Sequence, residues 1–223
     1  MVHFDAVVFD CDGVLVDSEV LSARVSQRIL SDLGWDAELE ELMDLFTGCS
    51  QEFFVAEIER RIGRRLEPGW DDPYAGWLVE AFRRELATVP GIESALERIT
   101  LPVAVASNSG RERIRSSLDL VGLLPRFAGR IASAEDVAAG KPEPDVYLRA
   151  AEILGVAPER CIAIDDSPFG VEAARRAGMH VLAYVPGSAP PAGDGGRSIS
   201  DLNMLPAVVD RLVSHGTAAV SLR

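Results

Sequence analysis

The chain has 223 residues, 48% of them hydrophobic, and its 35 acidic against 22 basic side chains leave a formal net charge of −13. That length and apolarity suit a globular fold, of one large domain or two unequal ones, with core enough that disorder is not the default. The acidity argues against nucleic acid and anionic membrane surfaces as partners, since both need a basic footprint, so an anionic substrate has to be met by local positive charge or a metal. In chain order, the first element is the apolar run "AVVF" (6–9), read as a buried strand. It leads straight into Asp10 and Asp12, two carboxylates that repel each other and resist desolvation unless a cation makes use of them.

A long segment with helical periodicity follows, in "SEVLSARVSQRILSDLG", "SQEFFVAEIERRIG" and "PYAGWLVEAFRRELATV". It separates the first strand from the second by roughly ninety residues, far beyond an ordinary crossover of a dozen or more. "VPG" (89–91) marks its end. From there, apolar runs alternate with helical segments: "GIESALERI", the strand "PVAVA" (102–106), "RERIRSSLDLVG", the strand "RIAS" (130–133), "PDVYLRAAEILG", the strand "CIAI" (161–164), "PFGVEAARRAG" and the strand "HVLAYV" (180–185). Five strands alternating with helices predict an α/β fold with a doubly wound parallel sheet. The expected domains are an α/β core of 1–14 and 89–223 and an inserted all-helical domain of 15–88. "PGSAPPAGDGG" (186–196) reads as a surface loop and "HGTAAVSLR" as a frayed end.

No apolar run approaches the ~20 residues of a membrane span, and the N-terminal "MVHFDAVV" lacks the flanks of a signal peptide. Cys11, Cys49 and Cys161 are an odd, widely spaced set without a CxxC, read as reduced thiols. The expectation is a cytoplasmic protein, a monomer or weak homo-oligomer, with no membrane or nucleic-acid partner. Cys11 and Cys161 are read as core residues, Trp70 and Trp77 as packing in the helical insert, and His3 and His180 as outside the chemistry.

Ligands of open α/β sheets bind beyond the carboxyl ends of the strands. Here strand one ends in Asp10 and Asp12, strand two in Ser107 and Asn108, and strand four in Asp165 and Asp166, while Lys141 stands at a helix entrance in "AGKPEPD". One such strand end is ordinary turn chemistry; three on one edge form a set. Three carboxylates together are a cation site, and hard oxygen donors point to Mg²⁺, which takes one or two carboxylates and a substrate phosphate oxygen. Lys141 would balance aspartates and phosphate, Ser107 and neighbouring N–H groups would bind phosphoryl oxygens, and an aspartate can attack phosphorus itself.

"FDCDGVLVDSE", "ASNS", "GKPEPDVY" and "IDDSPFGVEAA", in this order, resemble the four motifs of the haloacid dehalogenase superfamily. The helical insert resembles the cap of its β-phosphoglucomutase-like branch, and the combination is similar to 6-phosphogluconate phosphatase-like members. The resemblance implies a Rossmann-like core with a helical cap domain and a Mg²⁺-dependent phosphatase acting on a small sugar phosphate or sugar-acid phosphate. It also implies roles: Asp10 as nucleophile and Mg²⁺ ligand, Asp12 as general acid/base whose backbone carbonyl also binds Mg²⁺, Ser107 with Asn108 on the phosphoryl group, Lys141 for charge, Asp166 as ligand and Asp165 supporting it directly or through water. Asp12 favours phosphate esters, because an alkoxide leaving group needs a proton. Substrate choice falls to the cap loop "FTGCSQE", with Gly48, Ser50 and Gln51 as candidate contacts.

The alternative is a β-phosphoglucomutase-like mutase. Those enzymes carry an arginine where Gln51 falls, and a neutral glutamine lacks the charge to hold a second phosphate dianion. A non-enzymatic regulatory binder is disfavoured because Asp10, Asp12 and Lys141 are all present.

Overall fold

The computed structural model describes residues 3–46, 49, 51–187 and 197–215. The chain divides into two compact units, Met1–Val16 with Thr88–Arg223 and Asp17–Ala87. The smaller unit holds α1 (Glu19–Asp32), α2 (Leu39–Phe46), α3 (Gln51–Ile62) and α4 (Ala75–Glu85). Helix α2 is additional to the three helical stretches read from sequence; at eight residues it is too short to show a clear period. The core of this unit gathers Leu30, Trp35, Leu42 and Ile58, with Phe46, Phe54 and Trp70 packed on them. Phe46 makes edge-on ring contacts with Trp35 and Phe54. None of the described charged side chains of this unit is fully buried: Arg60 and Arg61 reach Glu57, Arg61 also reaches Glu41, and Arg65 reaches Glu59.

The larger unit is built on a six-stranded sheet of β1 (Ala6–Phe9), β2 (Val103–Ser107), β3 (Ile131–Ser133), β4 (Cys161–Asp165), β5 (His180–Tyr184) and β6 (Ser198–Ile199). The order is β3-β2-β1-β4-β5-β6 and every pairing is parallel. This is the expected doubly wound sheet plus one strand, β6, whose two residues are too few to register as an apolar run. β1, β2 and β4 are buried at every position, which is why they read as unbroken apolar runs rather than alternating ones. The remaining helices are α5 (Ile92–Arg98), α6 (Arg111–Leu120), α7 (Leu124–Phe127), α8 (Asp145–Leu154), α9 (Pro168–Arg176) and α10 (Leu205–His215).

Strand order fixes where chemistry can occur. The chain leaves β1 for β2 and β3 on one side, then crosses back to β4 on the other, so the order reverses between β1 and β4. A crevice opens at the carboxyl ends of two strands that diverge in this way. Phe9 pairs with Ile164 in the ladder, so the next residues along each strand, Asp10 and Asp165, emerge side by side. Cys11 and Cys161 are buried, as expected. Among the described residues no helix is long and apolar enough to cross a membrane.

Candidate active site

The end of β1 is held in register by the Asp10 N–H, which donates to Ile164 C=O at 2.9 Å. The chain then turns sharply: Gly13 N–H donates to Val16 C=O, and the Leu15 and Val16 N–H groups both return to Cys11 C=O. Gly13 has φ of +78°, and a Cβ there would lie 2.1 Å from Asp166 Oδ2. Only glycine permits both the turn and the approach of Asp166. On α9, a Cβ at Gly170 would meet Asp165 Oδ2 at 1.8 Å, so this glycine makes room for the other carboxylate.

Asp10, Asp165 and Asp166 each bring a carboxylate oxygen within 4.8 Å of the other two. Lys141 Nζ sits among them, 2.8 Å from Asp10 Oδ1 and 2.7 Å from Asp165 Oδ2. Three carboxylates, two of them buried, thus share one neighbourhood with the Lys141 ammonium. Burial, reinforced by the neighbouring Asp165 and opposed by Lys141, raises the Asp10 carboxyl to about 8. Burial alone would lower the Lys141 ammonium, yet Asp10 and Asp165 hold it above its ordinary range, so it stays charged. An all-oxygen donor set suits a hard divalent cation.

The aspartates differ in their partners. Asp165 Oδ1 accepts from Ser167 N–H (2.9 Å) and Ser167 Oγ (2.8 Å), and Oδ2 accepts from Lys141 Nζ and from the Tyr147 hydroxyl (2.5 Å). Four donors match the roughly four acceptor positions of a carboxylate. Ser167 itself caps α9, accepting from Gly170 N–H at 3.0 Å. Asp10 Oδ1, besides Lys141, accepts from Cys11 N–H at 2.7 Å. Burial beside Asp12 and Asp10 drives the Cys11 thiol well above its ordinary range, so no thiolate competes here.

Ser107, almost fully buried, ends β2, and its Oγ accepts from Ser109 N–H at 3.1 Å. Asn108 clamps the Lys141 backbone: its Nδ2 donates to Lys141 C=O at 3.2 Å, and its Oδ1 accepts from Lys141 N–H at 2.7 Å. Asp12 Oδ2 accepts from Ser109 Oγ at 2.8 Å and Oδ1 from the Arg113 guanidinium at 3.2 Å. The structure thus brings Asp10, Asp12, Ser107, Asn108, Lys141, Asp165 and Asp166 to one edge of the sheet. Gln51 opens α3, while Gly48 and Ser50 lie outside the described residues.

A family model, haloacid dehalogenase-like hydrolase, matches residues 4–178. The chain belongs to that family. As a haloacid dehalogenase-like hydrolase it has curated relatives of nearly equal length. 6-Phosphogluconate phosphatase of Escherichia coli K12 is 30% identical over 185 residues, covering 82% of this chain and 84% of the relative. Hexitol phosphatase A of the same organism is 30% identical over 192 residues, 79% of this chain and 81% of the relative. Among solved structures, a haloacid dehalogenase-like protein of unknown function from Agrobacterium tumefaciens C58 superposes with a TM-score of 0.78 at 35% identity, covering 93% of this chain and 98% of that one.

Five residues of this hydrolase's site were not anticipated from sequence: Ser109, Arg113, Tyr147, Ser167 and Gly170. Tyr147 carries the clearest signal. It lies on the apolar face of α8 with its ring fully buried, and a buried tyrosine needs a partner for its hydroxyl.

Proposed function

We propose that this chain is a Mg²⁺-dependent phosphatase that hydrolyses a small sugar phosphate or sugar-acid phosphate through an aspartyl-phosphate. The observation that carries the reading is the buried Asp10 carboxylate, next to Lys141 and the Asp165–Asp166 pair, with Asp12 two residues on. The names of the relatives at 30% identity support the ester class.

In this reading Asp10 attacks phosphorus, forming an O–P bond as the bond to the leaving alkoxide breaks. Asp12 delivers a proton to that alkoxide, then takes one from the water that attacks the phosphoaspartate, freeing inorganic phosphate and restoring Asp10. Ser107 Oγ and adjacent N–H groups hold the transferring phosphoryl oxygens, and Lys141 neutralises their charge. Asp10, Asp166 and the Asp12 backbone carbonyl would hold the magnesium ion, which supplies further charge neutralisation for the phosphoryl group when bound. Asp165 reaches an ion only by giving up one of its four donors, so we assign it chiefly to anchoring Lys141. Asn108, both ends of whose amide meet the Lys141 backbone, is assigned to the same task. Choice of substrate is assigned, on sequence grounds, to Gly48, Ser50 and Gln51.

The mutase alternative calls for a cation to hold a second phosphate. Within the smaller unit Arg60, Arg61 and Arg65 each face a glutamate of that unit, which weakens their claim to that role.

The test is a panel of 6-phosphogluconate, hexitol phosphates and glucose 6-phosphate, with release of inorganic phosphate followed in Mg²⁺, in EDTA and after Mg²⁺ is restored. Release that stops in EDTA and returns with Mg²⁺ is expected. Full activity in chelator would overturn the metal reading. In parallel, β-glucose 1-phosphate is incubated with and without glucose 1,6-bisphosphate; rapid formation of glucose 6-phosphate with negligible free phosphate would establish the mutase instead.

A further inference from the structure

We infer that Ser109 and Arg113 are positioning residues that hold the Asp12 carboxyl group in the orientation from which it hands its proton to the leaving group. This rests on the reading of Asp12 as proton donor given above. The two oxygens of Asp12 are met from one side by two residues of a single turn-helix segment: Ser109 Oγ donates to Oδ2 at 2.8 Å, and the Arg113 guanidinium donates to Oδ1 at 3.2 Å. Binding both oxygens fixes the plane of the carboxyl group as well as its direction. One hydrogen bond would leave it free to rotate.

The two holders are themselves held. Ser109 N–H donates to Ser107 Oγ at 3.1 Å, and Ser109 C=O accepts from Ser133 Oγ at 2.7 Å. That ties the turn after β2 to the end of β3. Ser133 N–H donates to Asp136 Oδ2, and the same oxygen pairs with the Arg111 guanidinium. Arg111 N–H donates to Glu135 at 3.0 Å, so the first turn of α6, from which Arg113 projects, is pinned to the same loop. A chain of hydrogen bonds therefore runs from β3 to Asp12, and each member fixes the next. Support of this kind is what keeps a reacting group within a fraction of an ångström of its working position.

An exposed arginine–aspartate pair is on its own weak and often inconsequential. Arg113 and Asp12 are 40% and 24% exposed, so solvent screens most of their attraction. What the pair supplies is geometry, and the test has to read geometry at Asp12 rather than general damage to the site. Leaving-group chemistry does so. Breaking an alkyl phosphate requires a proton from Asp12, whereas 4-nitrophenyl phosphate loses a stabilised phenolate that departs without one. The ratio of kcat/KM for the two substrates therefore reports proton delivery, because kcat/KM covers only the steps up to transfer of the phosphoryl group.

The experiment measures that ratio, using 4-nitrophenyl phosphate and the best alkyl phosphate of the panel, in the unsubstituted protein and in Asp12→Asn, Arg113→Met, Ser109→Ala and the double variant Arg113→Met/Ser109→Ala. Methionine keeps much of the arginine stem while removing the fork. Asp12→Asn should depress the alkyl substrate far more than the aryl one. The double variant should lower the alkyl-to-aryl ratio by about tenfold, and each single variant by a smaller factor. Added to Asp12→Asn, Arg113→Met should change the ratio no further, since its effect runs through that carboxyl group. If the double variant lowers both substrates equally, or neither, while Asp12→Asn still separates them, the positioning role is wrong and the proton-donor reading stands. If Asp12→Asn itself fails to separate the substrates, the proton-donor reading falls and this inference with it.

Discussion

The ends of β1 and β4 present the same side chain, side by side, in opposite circumstances. Asp165 has a donor for each of its acceptor positions: Lys141, Tyr147, and the hydroxyl and N–H of Ser167. Asp10 shares the same lysine and adds the Cys11 N–H, both on Oδ1. A carboxylate saturated with donors is fixed and unreactive; one with fewer donors, in a buried place, is poised to take a cation or to attack. In the mechanism proposed above, hydrogen bonds divide these neighbouring aspartates on adjacent strands into an anchor and a reagent. The smaller unit provides a contrast, since none of the described carboxylate–arginine pairs around its aromatic core is fully buried.

The largest effect expected from this division is on turnover. Asp10→Asn removes the attacking oxygen and should reduce phosphate release by more than about 10⁴-fold, with an unchanged circular dichroism spectrum. Near-normal turnover would end the aspartyl-phosphate mechanism. The same variant tests the electrostatics. The folded protein holds the Asp10 carboxyl at about 8 against an ordinary value of 3.8, so between those values it binds a proton that the unfolded chain has lost. Stability contributed by this proton is present at acid pH and falls as pH rises through the interval. In EDTA, the urea midpoint of the native protein should therefore decline relative to that of Asp10→Asn as pH goes from 4 to 8. Saturating Mg²⁺ should flatten the difference. A flat difference in EDTA would mean that Asp10 is not desolvated as its burial implies.

Asp165→Asn should break the comparison from the other side. It removes the charge that anchors a buried ammonium, and losing one partner of a buried, hydrogen-bonded ion pair costs about 3–5 kcal/mol. Asp10→Asn leaves Lys141 its Asp165 partner and relieves repulsion between two carboxylates, so it should cost much less. Urea unfolding of both variants in EDTA measures the two costs side by side. Equal losses would show that the anchor and the reagent are not distinct.

This division was only partly legible in the sequence. Strands buried on both faces announce themselves as apolar runs, and the residues closing them, Asp10, Ser107 and Asp165, are read directly from their ends. β6 was missed because two residues carry no period, and α2 because eight residues make barely two turns. The wiring was illegible for a different reason. Arg113 and Asp12 are 101 positions apart, and Asn108 and Lys141 are 33 apart, so no local pattern links them. Gly170 reads as an ordinary helix residue until the fold sets Asp165 against it. Tyr147 reads as core, and its ring is core; only its hydroxyl belongs to the site.

That hydroxyl gives the smallest and most discriminating test. Tyr147→Phe keeps the ring, and with it the packing of α8 on the sheet, and deletes one of four donors to Asp165. A hydrogen bond to a charged group contributes about 1.5–3 kcal/mol, so a loss of stability in that range is expected. The more informative readout is the ion. With one acceptor position of Asp165 vacated, its carboxylate gains capacity for a new ligand, while Asp10 and Asp166 are untouched by the substitution. Calorimetric titration should then show Mg²⁺ binding at least as tightly to Tyr147→Phe as to the native protein, even though the variant is less stable. If Asp165 were instead a ligand oriented by Tyr147, removing the hydroxyl would loosen it and weaken Mg²⁺ binding by the 10–100-fold typical of a lost outer-shell partner. Weaker binding would move Asp165 from anchor to ligand; binding as tight or tighter keeps it an anchor, with Lys141 as the group it serves.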